Sequence, residues 1–247
     1  MPAGISTADR PDLSFNTMIK SVIFDLDNTL YSYDKANDVA FQVLCRFSRD
    51  RLKLSPERFS ALHLAANRIQ AQRCGGSPAV HNRLIRYQII LELAGLPVGE
   101  APAMENCYWQ TLIDHMEPEP GAAQTMQQLR EAGIRIGIGT NMTADWQYAK
   151  LDRLSLLPLV DFVVTSEEAD AEKPDKRLFS LCAEKAGAEM RECAFVGDNL
   201  QIDALAARAA GMLGIWYHPS PVTELPREDI RIIRSLTELP GMIEQKH

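Results

Sequence analysis

Two aspartates, Asp25 and Asp27, stand two positions apart in IFDLDNTLY (23–31), where an apolar run gives way to polar residues. Strand side chains alternate, so on a continuing strand both carboxylates project to the same side. Two like charges that close repel and resist burial unless something compensates them. The pair is either a strand end turning polar or a site for a metal ion or phosphoryl transfer, and this motif alone does not choose. Further candidates lie downstream. Thr140 and Asn141 close IRIGIGTN, Lys173 sits in EEADAEKPD, and Asp198 and Asp203 belong to FVGDNLQID.

Such residues act together only if the fold gathers them. The stretch from Met18 to Leu30 reads as a buried strand. From Asp34 to Glu117 the texture becomes helical, with apolar residues recurring at three and four in VAFQVLCRFSRDRL, ERFSALHLAANRIQAQR and HNRLIRYQIILELAGL. Gly75-Gly76-Ser77-Pro78 breaks two of these helices and Ala94-Gly95-Leu96-Pro97 ends another. After Pro118 and Pro120 strands and helices alternate. GAAQTMQQLREAG is a helix, IRIGIGTN a strand, TADWQYAKLDRLSL a helix with Thr143 as N-cap, and DFVVTSEE a strand. KRLFSLCAEKAG is a helix, CAFVGDN a strand, LQIDALAARAAG a helix and LGIWYHP a strand; IRIIRSLTELPGMIE closes with a short strand and helix.

Strands separated by single helices run parallel, with helices on both faces. The expected fold is therefore α/β, an open doubly wound parallel sheet with a Rossmann-like core over 18–33 and 118–247. A helical cap over 34–117 interrupts it, and residues 1–17 form a polar leader. In such sheets ligands bind beyond the carboxyl ends of the strands. Asp25, Asp27, Thr140, Asn141, Lys173 and Asp198 all fall at or just after strand ends, and Asp203 follows five residues after Asp198.

Composition bounds the chemistry. The chain has 247 residues, 46% hydrophobic and 24% charged, an ordinary globular balance. No apolar run approaches the ~20 residues that span a bilayer, and the first residues carry no apolar signal segment. Neither a membrane nor a nucleic-acid polymer is an expected partner, the latter because the net charge is −7. Residues 46–86 depart from that balance, with nine Lys/Arg against two acids, a local excess of +7 that leaves −14 elsewhere. Solvated helix faces explain this more simply than attraction of an anionic ligand, though it suits both. Five scattered cysteines (Cys45, Cys74, Cys107, Cys182 and Cys193) lack metal spacing, which points to reduced thiols in the cytoplasm.

In its four motifs, DLDNT (25–29), TN (140–141), EKPD (172–175) and GDNLQID (197–203), the chain resembles the haloacid dehalogenase-like superfamily. Within it the chain is similar to the phosphatases with a helical cap after the first motif, over essentially all of 18–245. The resemblance implies a phosphatase acting on a small phosphorylated metabolite, of the nucleotide or sugar phosphate class. It also implies Mg²⁺ held by Asp25, the carbonyl of Asp27 and the carboxylate of Asp198, with Asp203 in the outer shell, orienting a water or pairing with Lys173. Asn199 stands where many relatives have Ser or Thr.

The chemistry of each part follows physical lines. Asp25 is the expected nucleophile, giving an aspartyl-phosphate. A carboxylate approaching a phosphate dianion is repelled, so a cation is required, and Mg²⁺ prefers oxygen ligands. Asp27 is then the general acid and later the base, a reversal that calls for a pKa raised towards neutrality. Thr140 and the backbone N–H at Asn141 hold phosphoryl oxygens. Lys173 offsets charge and steadies Asp25.

Simpler readings stand beside these. The bland alternatives are that Asp203 merely caps the helix after GDN and that Asn141 only terminates its strand. The GxG of RIGIGTN lacks the third glycine of a dinucleotide loop, and the Gly-Gly-Ser break lacks the lysine of a phosphate loop. His63, His81 and His115 are expected as surface or packing residues. Substrate choice is expected from Tyr31 and Tyr33 after the first motif, and from Arg73, His81, Asn82 and Arg86 near the Gly-Gly break. A phosphomutase shares Asp27 and the other motifs. A haloacid dehalogenase needs neither Asp27 nor Asp198, and a non-catalytic binding protein needs none of the acids.

Overall fold

Ser21–Phe24 (β1, SVIF) is buried at every position, as a strand in the middle of a parallel sheet must be. In the computed structural model, which describes residues 18–221 and 230–244, β1 sits in a six-stranded, all-parallel sheet. The expected leader over 1–17 lies outside the described residues. Four helices follow β1: α1 (Tyr33–Leu52), α2 (Pro56–Cys74), α3 (Arg83–Ala94) and α4 (Ala101–Asp114). Then come α5 (Ala122–Glu131), β2 (Arg135–Thr140), α6 (Ala144–Arg153), β3 (Phe162–Thr165), the short α7 (Ser166–Ala169) and α8 (Lys176–Ala186). The chain continues with β4 (Cys193–Gly197), α9 (Ala206–Ala210), β5 (Leu213–Tyr217), β6 (Arg231–Ile233) and α10 (Leu239–Glu244).

The strand order is β3-β2-β1-β4-β5-β6. The winding reverses at β1, so the crevice where ligands bind in such sheets opens beyond β1 and β4. Alternate residues face two layers. Val22 and Phe24 join Met126, Leu129 and Leu151 on one side, while Ile23 joins Phe179, Cys182 and Ala207 on the other. Gly139 has to be glycine, because a Cβ there would run into Phe195, Ile23 and Cys182.

The first strand is shorter than the sequence suggests. Beyond Phe24, Asp25 still donates its N–H to the Val196 carbonyl at 2.8 Å. The Leu26 carbonyl then accepts from both Thr29 and Leu30, and Asn28 takes a left-handed φ of 60°. Asparagine tolerates that conformation where most residues do not. The expected helix over 200–211 likewise opens as a wide π-turn, Leu200–Leu205, before α9. Asn199 caps it through Oδ1, accepting from Gln201 and Ile202. Thr143 stands at the N-cap of α6 without a side-chain bond; Glu167 accepts the Ala144 N–H instead, at 2.9 Å.

Within the helical insertion α1 packs on α4 and α2 on α3, and α4 reaches α6 of the sheet layers. That last contact is aromatic. Trp109 stacks on Trp146 with ring centres 4.5 Å apart. Ser55 and Asn82 cap α2 and α3 with side-chain oxygens, and Gly95 ends α3 in the left-handed conformation.

Candidate active site

The first turn after β1 and the loops after β2, β3 and β4 all open on the same edge of the sheet. Asp25, 7% exposed, carries the carboxylate nearest the strand end. Its Oδ1 accepts from Lys173 Nζ at 2.6 Å. The same ammonium lies 2.8 Å from Asp203 Oδ1, and Asp203 Oδ2 accepts the Asn199 N–H at 2.9 Å. Asp203 therefore braces the helix start, through the N–H of the N-cap Asn199, as well as binding Lys173, and it does not face water. It is fully buried against Gly197, where any Cβ would collide with its carboxyl group. Asp198 is fixed through its backbone. Its N–H donates to Thr29 Oγ1 at 3.0 Å and its carbonyl accepts from Trp216 Nε1 at 2.7 Å, which leaves the carboxylate to point into the crevice.

Asp25, Asp198 and Asp203 each offer an oxygen, and all three lie within 4.8 Å of one another. Burial, opposed by Lys173 and reinforced by the Asp203 charge, pushes the Asp25 pKa up to about 7. Burial and the Asp203 charge likewise push Asp198 up to about 6. Lys173 rises because, against the cost of its own burial, Asp203 and Asp25 both hold its proton. Were all three carboxylates to give up their protons, as ligation of a cation requires, the one ammonium would fall two positive charges short. An all-oxygen donor set with that deficit suits a hard divalent cation.

Asp27 behaves differently from expectation. Lys150 Nζ approaches its Oδ1 at 2.7 Å and its Oδ2 at 3.0 Å, and the Tyr31 hydroxyl donates to Oδ1 as well. Burial alone would raise its pKa, but the Lys150 charge and these hydrogen bonds hold it below the usual carboxylate value. The expected rise towards neutrality is absent because a lysine of its own neutralises this carboxylate. Asp25 and Asp27 thus stay close by each having a separate lysine.

Thr140 ends β2 with its Oγ1 accepting from Gln147 Nε2 at 2.6 Å. The Asn141 side chain clasps the backbone of Lys173, accepting its N–H at 2.8 Å and donating to its carbonyl at 3.3 Å. That side chain positions the lysine, and only the Asn141 backbone N–H is left for a ligand.

Of the expected specificity residues, Tyr31 binds Asp27 and Tyr33 binds Asn37 and Arg83. Asn82 caps α3 and Arg73 is exposed at the end of α2. Arg86 braces the insertion, bonding Gln70 Oε1 at 2.9 Å and the Val80 carbonyl at 3.1 Å. His81 is not a simple surface residue, since its Nε2 lies 2.9 Å from Glu172, the neighbour of Lys173. His63 packs edge-on against Phe41, and His115 bonds the Thr111 carbonyl.

A cleft of about 550 Å³ separates insertion and sheet layers, with His81, Arg83 and Glu105 on one wall and Thr143, Trp146 and Glu167 on the other. Lys150 and Arg83 escaped the sequence reading. A signal for Lys150 existed, because it lies on the inward stripe of α6 with Gln147 and Leu151. A lysine in an apolar stripe needs a buried partner.

Comparisons with known proteins identify the family and the fold. The sequence profile of the haloacid dehalogenase-like hydrolase family matches residues 19–211. A ribulose-1,5-bisphosphate 5-phosphatase of Halopiger xanaduensis is 36% identical over 206 residues, covering 82% of this chain and 86% of that protein. A glyceraldehyde 3-phosphate phosphatase of Methanopyrus kandleri is 29% identical over 222 residues, covering 86% and 90% respectively. The crystal structure of a HAD phosphatase from Thermococcus onnurineus superposes with a TM-score of 0.68 at 26% identity, over 92% of this chain and 98% of that one.

Proposed function

The chain belongs to the haloacid dehalogenase-like hydrolases, and on that premise we propose that it is a Mg²⁺-dependent phosphatase of a small phosphorylated sugar, with Asp25 as nucleophile. The observation that carries this reading is the convergence of Asp25, Asp198 and Asp203 around the single Lys173 ammonium. The relatives whose names specify ribulose 1,5-bisphosphate and glyceraldehyde 3-phosphate favour a sugar or triose phosphate over other monoesters.

Asp25, the Asp27 carbonyl and Asp198 would hold the ion, with Asp203 behind them. Mg²⁺, when bound, supplies the positive charge that lets a carboxylate approach a phosphate dianion. Lys173 keeps Asp25 aimed and opposes the burial that favours its protonation. Asp25 attacks phosphorus, and the bond to the leaving oxygen breaks with its electron pair. Asp27 gives that oxygen a proton, which it takes up from solvent water as the incoming anion offsets the Lys150 charge beside it and, in later cycles, from the attacking water. Water then attacks the phosphorylated Asp25, its proton passes to Asp27, and phosphate departs. Thr140 and the Asn141 N–H steady the phosphoryl oxygens through both steps.

The helical insertion, 34–117, acts as a cap that shields this chemistry from bulk water. Five unpaired thiols suit the reducing cytoplasm.

Phosphate release from p-nitrophenyl phosphate and from a panel of sugar phosphates tests the proposal. Release should need Mg²⁺, stop with EDTA, and fall on the order of 10³-fold or more in Asp25→Asn. Sustained hydrolysis by Asp25→Asn removes the nucleophile and with it the mechanism. Transfer of phosphate back to the sugar in place of release would make the enzyme a mutase.

A further inference from the structure

We propose that Arg83 is the docking point for a second anionic group of the substrate, remote from the phosphate that Asp25 attacks; this rests on the phosphatase reading above. Arg83 is half-buried, and a guanidinium partly withdrawn from water ordinarily sits against a carboxylate, because an uncompensated charge there is costly. Among the described residues Arg83 has no such partner. Its Nη2 donates to the Tyr33 hydroxyl at 2.7 Å and to the Tyr108 hydroxyl at 3.4 Å. Its guanidinium lies 5.1 Å from the Tyr108 ring centre and 6.0 Å from that of Trp109. Phenols and rings orient a cation without neutralising it. The Arg83 Nε and the Tyr87 hydroxyl are buried and make no hydrogen bond among the described residues.

Position gives this cation a use. Arg83 lines the cleft between insertion and sheet layers, where its neighbour in the lining, His81, has its Nε2 2.9 Å from Glu172, the residue before Lys173. Tyr33 joins Arg83 to the Lys150 ammonium, which lies 5.6 Å from the Tyr33 ring centre and 2.7 Å from Asp27. Contacts through these two side chains thus link Arg83 to the proposed proton donor. Glu105, Asp145 and Glu167 share the cleft. They repel an anion near themselves but accept hydrogen bonds from hydroxyl groups. Hydroxyls for the acids and one anionic end for Arg83 describe a phosphorylated sugar with a second charged terminus. A planar guanidinium grips phosphate or carboxylate oxygens in pairs, which an ammonium cannot do.

Two substrate pairs test the proposal and distinguish the two anions. Ribulose 1,5-bisphosphate is compared with ribulose 5-phosphate, and 3-phosphoglycerate with glyceraldehyde 3-phosphate. The wild-type enzyme should favour the doubly anionic member of at least one pair by tenfold or more in kcat/KM. The favoured pair names the group as phosphate or carboxylate. Arg83→Met should erase the preference, chiefly through KM, and Arg83→Lys should restore part of it. Equal turnover within both pairs by the wild-type enzyme overturns the Arg83 assignment without needing any variant, and leaves the phosphatase reading intact. A preference that survives in Arg83→Met, or equal losses on both members, overturns it too. No Mg²⁺-dependent phosphate release from any of the four substrates would remove the phosphatase reading and this one together.

Discussion

Lys150 is fully buried, yet its Nζ lies 2.7 Å from Asp27 Oδ1, whose side chain is 27% exposed. The aromatic rings of Tyr31, Tyr33 and Trp109 surround the ammonium at 5.6–5.7 Å. The pair bridges α6 and the turn after β1, and Trp109 brings in the helical insertion. A charge that could not be buried alone is thus held by one carboxylate and three rings.

Removing either partner strands the other. Lys150→Met and Asp27→Asn should each lower stability, Asp27→Asn more, by about 3 kcal/mol, because it leaves the deeper charge unpaired. The double variant should lose less than the sum of the two. Urea unfolding of the four proteins gives the coupling, and strict additivity would mean that the pair carries no stabilising interaction.

Asp27→Asn should also separate substrates by leaving group. A general acid matters most where the departing oxygen is basic, so an alkyl phosphate should lose about 10²–10⁴-fold. p-Nitrophenyl phosphate, which leaves without help, should lose far less. The comparison is made in kcat/KM, which leaves out hydrolysis of the aspartyl-phosphate, where Asp27 is the base for both substrates; equal losses there would remove Asp27 as the general acid.

The sheet and the acids were legible in the sequence because their signals are local. Apolar runs ending in Asp25, Thr140 or Asp198 mark strand tips, and glycines such as Gly95 and Gly187 mark helix ends with a left-handed turn. Asp203 was readable as part of GDNLQID, and its pairing with Lys173 only as one of two roles that the family resemblance implied, because that contact needs β4 and the loop after β3 in place. Lys150 meets Asp27 across 123 residues and Arg83 meets Tyr33 across 50. No local pattern encodes such a pairing. Arg86 and Arg83 look alike in sequence, and only the rotation of α3 turns one towards Gln70 and the other into the cleft.

Gly197→Ala tests how tightly Asp203 is placed. The added methyl group meets the Asp203 carboxyl and has no flexible neighbour to displace. Overpacking of this kind costs about 1–3 kcal/mol. Because Asp203 shares Lys173 with Asp25, kcat should fall together with the melting temperature. A variant with wild-type kcat would show that Asp203 has slack.

His63 should set an acid-side stability slope. Burial, then the Arg83 charge, lowers its pKa from 6.5 to about 4. The unfolded chain therefore takes up a proton that the folded one refuses between those values. Stability is full above pH 6.5 and declines as pH falls towards 4, by at most about 3 kcal/mol. His63→Phe should remove this part of the slope. Urea midpoints between pH 4 and 7 for both proteins are the check, and parallel curves would count against the buried neutral imidazole.

Metal binding should be visible in stability as well as in turnover. An ion that binds only the folded state adds about 2.7 kcal/mol at a hundredfold excess over Kd. Mg²⁺ should therefore raise the melting temperature, and EDTA should reverse it. Asp198→Asn gives the decisive sign. Without metal it removes one of three crowded carboxylates, in a group already pushed up to about 6, so the metal-free variant should melt higher than the metal-free wild type at neutral pH. With Mg²⁺ present the order should invert, because the variant has lost a charged ligand. Calorimetry at several Mg²⁺ concentrations reads both effects. An Asp198→Asn protein that gains as much from Mg²⁺ as the wild type would place the ion elsewhere.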